Sequence, residues 1–162
     1  MPAHIVSYIR SLIQGNRITA TYLMRQFGFS HDGITRMLFK AFPWKRLLLR
    51  LIHTFFGMLR DGYIILDDTV LAKPFGKHFK EAVFAYSSCL DKVVYGYHIV
   101  ALIWTNGIVK IPLSFRLYRH KGKSKIMLAA DLLREARYFW HLSPRGVLFD
   151  SWYAAGPLLS QI

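Results

Sequence analysis

Apolar residues near the start of the chain, Ile5, Tyr8, Ile9, Leu12 and Ile13, recur three and four positions apart, the spacing of one buried helix face. Gly15-Asn16 is a stop signal for that helix, and Thr19 can cap the next. Phe42-Pro43-Trp44 interrupts the pattern, because proline disfavours helix in the residue before it. Lys45 to Arg60 resumes it with Leu48, Leu49, Ile52, Phe55, Phe56 and Leu59 apolar, and Asp61-Gly62 ends it. The spacing predicts a helical region over residues 1–60 and a boundary there. Beyond it the period changes. Tyr63 to Leu66 is a short, continuously apolar run, as in a strand buried on both faces. Glu81 to Ser88 and Val94 to Thr105 are β-branched and aromatic, Asn106-Gly107 is a strong hairpin signal, and Ile108 to Tyr118 is the return strand. Ile126 to Trp140 has helix spacing again through Leu128, Leu132, Leu133, Ala136 and Phe139. After a turn at Ser143-Pro144-Arg145-Gly146, Val147 to Phe149 is a second buried strand, and a further helix starts near Ala154. The class is α/β: a helical region, then a mixed sheet with helices over residues 61–162.

Within the first region, residues 19–38 (TATYLMRQFGFSHDGITRML) resemble a helix-turn-helix. Thr19 caps a first helix that turns Leu23 and Met24 inward, Gly28 allows the sharp turn, and Phe29 plugs the angle between helices. Ser30 caps the second helix, whose inner face is Ile34 and Leu38. Its outward positions are His31, Asp32, Thr35 and Arg36, of which His31, Thr35 and Arg36 are the candidate DNA contacts. Asp32 can instead serve the helix start. An ordinary helical hairpin with a Gly-Phe-Ser turn fits the same residues.

Charge sharpens this reading. The 162 residues carry 22 Lys and Arg against 9 Asp and Glu, a net charge of +13. Residues 1–60 hold nine of the cations and a single acid, Asp32. So basic a chain is expected to meet a polyanion, most often nucleic acid. At 53% hydrophobic there is ample material for a core, which excludes wholesale disorder. The apolar stretches Leu47 to Leu59 and Val93 to Trp104 are interrupted or shorter than the about 20 residues of a spanning helix, so no membrane partner is expected. The N-terminus has no signal-peptide pattern. A single cysteine, Cys89, fits a reducing compartment and has no activating neighbour.

The acids of the second region do not scatter. Asp67 and Asp68 follow the first buried strand and Asp150 follows the last, 82 positions after Asp68. If the last strand lies parallel beside the first, through a right-handed helical crossover, both ends emerge on one rim. Carboxylates so close repel, and a divalent cation with a taste for hard oxygen ligands, Mg²⁺ or Mn²⁺, relieves that repulsion. Between the strands lies a basic loop, Arg119 to Lys125, whose Lys121, Lys123 and Lys125 are candidate phosphate contacts. His98, in an apolar strand, reads as a hydrogen-bonded core histidine. Trp152 and Tyr153 can stack on a base or belong to the core, and Tyr153 reads better as core.

The segments YIILDDTVLAK (63–73) and VLFDSWYAA (147–155) resemble the first two acidic motifs of DDE transposases of bacterial insertion sequences. The resemblance implies an RNase H-like fold for residues 61–162. It implies Asp68 and Asp150 as catalytic metal ligands, with Asp67 as the alternative to Asp68. It also implies double-stranded DNA, transposon ends and target, as partner, in a bacterial cytoplasmic, nucleoid-associated setting. In such enzymes metal-activated water nicks DNA, and the freed 3′-hydroxyl attacks the target without a covalent protein intermediate. The family's third acid, a Glu on a later helix beside basic residues, has no counterpart: Glu81 and Glu135 precede Asp150, and only twelve residues follow it. The expectation is therefore a truncated or split transposase, inert alone, with a second copy or a complementing C-terminal half as further partner. The alternative is a non-catalytic DNA-binding protein that occupies transposon ends.

Overall fold

A five-stranded mixed sheet organises the computed structural model, which describes residues 3–13, 19–40, 43–75, 79–87 and 90–160. Gly15-Asn16, Phe42 and Cys89 lie outside the described residues. The chain divides into two compact units, Met1–Trp44 and Lys45–Ile162. The division comes earlier than the boundary expected near residue 60, and the reason lies in the helix between the two positions.

The first unit contains α1 (Ala3–Ile13), α2 (Ala20–Phe27) and α3 (His31–Phe39), with α1 against both of the others. Both predicted caps form. Thr19 accepts from the Tyr22 N–H and Ser30 from the Gly33 N–H, each satisfying an orphan donor of the first turn. Gly28 closes α2 at φ 69°, a left-handed conformation that costs any residue with a Cβ. Leu23 and Ile34 are buried as expected, and Phe29 stacks on Phe27 with ring centroids 6.2 Å apart. Met24, expected inward, is exposed: a helix of eight residues has room for one narrow buried stripe, and Leu23 occupies it.

In the second unit α4 (Trp44–Phe56) precedes β1 (Tyr63–Ala72), β2 (Val83–Ser87), β3 (Lys92–Thr105), β4 (Lys110–Leu117), α5 (Lys125–Tyr138) and β5 (Gly146–Phe149). Ile52 of α4 belongs to the same core cluster as Leu102 and Leu132, with Leu48 and Leu49 packed against it. An apolar helix face needs a partner, and the sheet unit supplies it. Strand β3 is antiparallel to β1 on one side and to β2 and β4 in succession on the other; Gly96 faces Ala72 and Val83 together. A Cβ at Gly96 would lie 2.3 Å from the Leu71 carbonyl oxygen, so only glycine fits that crossing. The Asn106-Gly107 signal does mark the β3–β4 turn, where Asn106 Oδ1 accepts from the N–H groups of Ile108 and Val109.

Helix α5 crosses the sheet and delivers β5 parallel to β1, in the register Tyr63↔Gly146 to Leu66↔Phe149. Alternate residues Ile64, Leu66, Val100, Leu102 and Trp104 point to the helix-covered face and are buried. The opposite face carries Tyr63, Leu71, Phe84, Tyr86, Val93, Phe115 and Leu148, all exposed. Beyond β5, residues Ser151–Tyr153 form a 3₁₀ turn and α6 spans only Gly156–Leu159, later and shorter than the helix expected from Ala154. Pro157 sets that start, being favoured in a first turn. Among the described residues no helix is long and apolar enough to cross a membrane.

Glu135 ties the layers together. Its Oε2 accepts from Lys45 Nζ of α4 at 2.8 Å and from Arg116 of β4, and Oε1 accepts from the Trp140 indole at 3.3 Å. Burial alone would raise its pKa, but the bonds from Lys45, Arg116 and Ser114 outweigh burial and hold it down at about 2, against an ordinary 4.5. A depressed carboxyl stabilises the fold above its unfolded pKa, and that contribution drains away as pH falls from about 4.5 towards 2. The shift corresponds to roughly 3 kcal/mol at most. Urea unfolding at a series of pH values should show this acid-side loss in the native protein, and Glu135→Gln should flatten it while lowering stability at pH 7.

Candidate active site

Strand β1 is ten residues long and β5 only four. The last parallel pair is Leu66↔Phe149, so Asp67 and Asp150 are the next residue on each strand. The acids were expected at the end of a short strand; they stand instead in the middle of β1, which continues to Ala72 on its pairing with β3. What ends there is β5. The two acids of β1 alternate across the sheet: Asp68 shares the helix-covered face with Leu66 and is half-buried, while Asp67 is exposed on the other.

Asp68 is the best-connected of the three. Its Oδ2 lies 2.5 Å from Lys125 Nζ, and its Oδ1 accepts from the Tyr153 hydroxyl at 3.2 Å. Asp67 Oδ1 accepts from the Asp68 N–H at 2.8 Å. Asp150 caps the 3₁₀ turn, with Oδ1 accepting from Ser151 Oγ at 3.0 Å. Neither Asp67 nor Asp150 makes an ion pair among the described residues. The Tyr153 phenol feels all three carboxylates. Burial first, then the charge and hydrogen bond of Asp68, then Asp67 and Asp150, raise its pKa far above the ordinary range. Three carboxylates against the single ammonium of Lys125 leave the cluster with a net charge of about −2.

Comparison with protein-family models, with curated proteins and with solved structures finds no match. The geometry therefore carries the functional reading.

His31 and Arg36 are exposed on α3 and Thr35 is half-buried, its hydroxyl donating to the His31 carbonyl at 3.0 Å. Asp32 lies in the first turn of α3, where a negative charge is favoured. In the basic loop Lys121 is exposed, Lys123 pairs with Asp131 at 2.5 Å and Arg119 with Glu81. Lys125, grouped with these as a phosphate contact, faces Asp68 and is largely shielded.

His98 is a core histidine, as expected. It is 1% exposed, its Nε2 is 3.3 Å from the Val94 carbonyl, and burial lowers its pKa. Its Nδ1 has no hydrogen-bond partner among the described residues. Tyr153 is buried and Trp152 exposed, with Lys125 Nζ 5.8 Å from the Trp152 ring centroid. Sequence reasoning nominated Lys125 for phosphate and missed its pairing with Asp68, as it missed the hydroxyl of Tyr153. One signal for Lys125 was present: a lysine opening a helix sits against the positive end of its dipole, and so calls for an acid elsewhere.

The Tyr153 shift gives a testable sign. A phenol whose folded pKa is raised stabilises the fold below its unfolded pKa of about 10, and that stabilisation is lost as pH climbs further. In an alkaline titration followed at 295 nm, Tyr153 should ionise only as the chain unfolds. Tyr153→Phe should cost about 1–2 kcal/mol at pH 7 by removing a hydrogen bond to a charged acceptor. A variant as stable as the native chain would show that the bond to Asp68 contributes nothing.

Proposed function

We propose that residues 45–162 are the acid-bearing part of an RNase H-like, DDE-type transposase core, and that the protein acts on double-stranded DNA at transposon ends. The observation that carries this is the parallel pairing of β1 with a shorter β5, after which Asp67 and Asp150 are the next residue on each strand and Asp68 bonds the Tyr153 hydroxyl. The strand order, a first strand antiparallel to a hairpin and parallel to a last strand reached through a helix, agrees with the resemblance of the two acidic motifs. The basic helical unit, with His31, Thr35 and Arg36 on the second helix of its helix-turn-helix-like pair, is the candidate reader of DNA.

The donor set suits Mg²⁺ or Mn²⁺. Such ions take one or two carboxylates and complete their shell with water and substrate phosphate rather than a full protein cage. Asp68 and Asp150 are the residues to hold it, with Asp67 the alternative to Asp68. Bound there, the ion supplies an activated water and neutralises charge developing on the phosphoryl oxygens. Asp150 and Asp68 would hold it with set carboxylates, since Ser151 bonds the first and Tyr153 the second. Among the described residues no third His, Cys, Asp or Glu completes a metal group with them. Strand cleavage on this reading calls for a third acid beyond those the described residues bring to the site.

That same observation favours a second reading, a non-catalytic protein that occupies transposon ends and competes with a complete enzyme. One experiment separates them. Terminal inverted-repeat DNA is titrated with the chain, with and without Mg²⁺, alone and mixed with a segment carrying a Glu in a basic helix. The first reading expects Mg²⁺-dependent nicking in the mixture, cut about a thousandfold or more by Asp68→Asn or Asp150→Asn with the gel shift retained. Binding without nicking in every mixture supports the second reading, and no preference for the repeat over random DNA defeats both.

A further inference from the structure

Lys125 is the first residue of α5, behind the Ser124 cap, and it is an unusual place for a cation. The helix dipole puts positive potential there, and α5 has no acid in its first turn to offset it. The ammonium is nevertheless largely shielded from solvent, 2.5 Å from Asp68 Oδ2, with the Trp152 ring on another side. Asp68 thus has a full positive charge directed at it from the first residue of a helix.

We propose that Lys125 is an internal counterion that holds Asp68 in the absence of a divalent cation, and that it is released to a DNA phosphate when the cation binds. This rests on the reading of Asp68 and Asp150 as metal ligands. The charge arithmetic supports the exchange. With Lys125 on Asp68, the three carboxylates retain about two negative charges, and a divalent cation added there would face an ammonium at one of its ligand oxygens. With Lys125 withdrawn, Asp68 Oδ2 is free to ligate. Tyr153 still holds Oδ1, so the carboxylate keeps its orientation through the exchange. The withdrawn ammonium lies beside the basic loop, on a flexible stem suited to reaching a phosphate as a point charge. Lys125 then acts twice: it offsets the charge of Asp68 before DNA arrives, and afterwards it couples metal loading to the presence of the phosphate.

The test is Mn²⁺ binding to the full 162-residue chain, followed by electron paramagnetic resonance without DNA. Lys125→Gln removes the competing charge and should tighten Mn²⁺ by about tenfold. Lys125→Arg keeps the charge and should stay near the native affinity. Asp150→Asn added to Lys125→Gln should abolish the gain. Native binding that is unchanged or weakened by Lys125→Gln overturns the counterion role while leaving the metal site standing. Absence of Mn²⁺ binding that depends on Asp68 and Asp150, in the native chain and the variant alike, overturns the metal reading and this proposal with it. A measurement on the native chain needs no variant to fold. Under saturating Mg²⁺ the Lys125 ammonium resonance should shift and exchange faster with water; a resonance that does not move overturns the exchange.

Discussion

The mismatch in length between β1 and β5 is the constraint on which the candidate site depends. A parallel neighbour has to be reached by a crossover, and here α5 provides it, packing on the sheet through Leu128, Ala129, Leu132, Leu133 and Ala136. Because β5 stops after Phe149, the chain turns away at Asp150 and Tyr153 folds back beneath Asp68. A β5 two residues longer would pair with Asp67 and Asp68 and leave no place for a side chain from the next turn. The chemistry of the site thus follows from where one strand ends.

Charge is organised around that break in two different ways. Glu135, inside the layer between α4, β4 and α5, has two cations on Oε2 and an indole on Oε1, and the bonds from Lys45, Arg116 and Ser114 hold its carboxyl low. The acids at the break are incompletely compensated, with Lys125 serving Asp68 and none of the described cations serving Asp67 or Asp150. A satisfied buried carboxylate is a structural element, whereas an unsatisfied group of them stores potential that a mobile cation can relieve. The two kinds of acid carry the same functional group, and their neighbours distinguish them.

Much of this architecture was legible in the residues. Asn106-Gly107, the alternation of β3 and the helix spacing of α5 each state their element locally, and the caps Thr19 and Ser30 form as their side chains suggest. The misplaced features share one cause. The extent of β1 past Leu66 is set by β3, a partner that local pattern does not specify, since Asp67, Asp68 and Thr69 alone read as the end of a strand. Likewise α4 was assigned to the helical unit by its period, but only the sheet core decides which surface receives Ile52. At the site, the acids were visible because their spacing relative to strands is a sequence property. Lys125 was grouped with its neighbours in the basic loop because nothing in a string of lysines says which of them turns inward.

The free half of β1 has a further consequence. On the side vacated by β5, the backbone from Asp67 to Ala72 is an open sheet edge among the described residues, the kind of surface on which another chain can add a strand. The pair of aspartates stands at the root of that edge, and Lys73-Pro74 closes it, a charge and a residue without an N–H. The residues proposed to attract a metal are therefore also residues that keep the sheet from extending into its neighbours, so replacing them with neutral side chains exposes an edge as well as emptying a site.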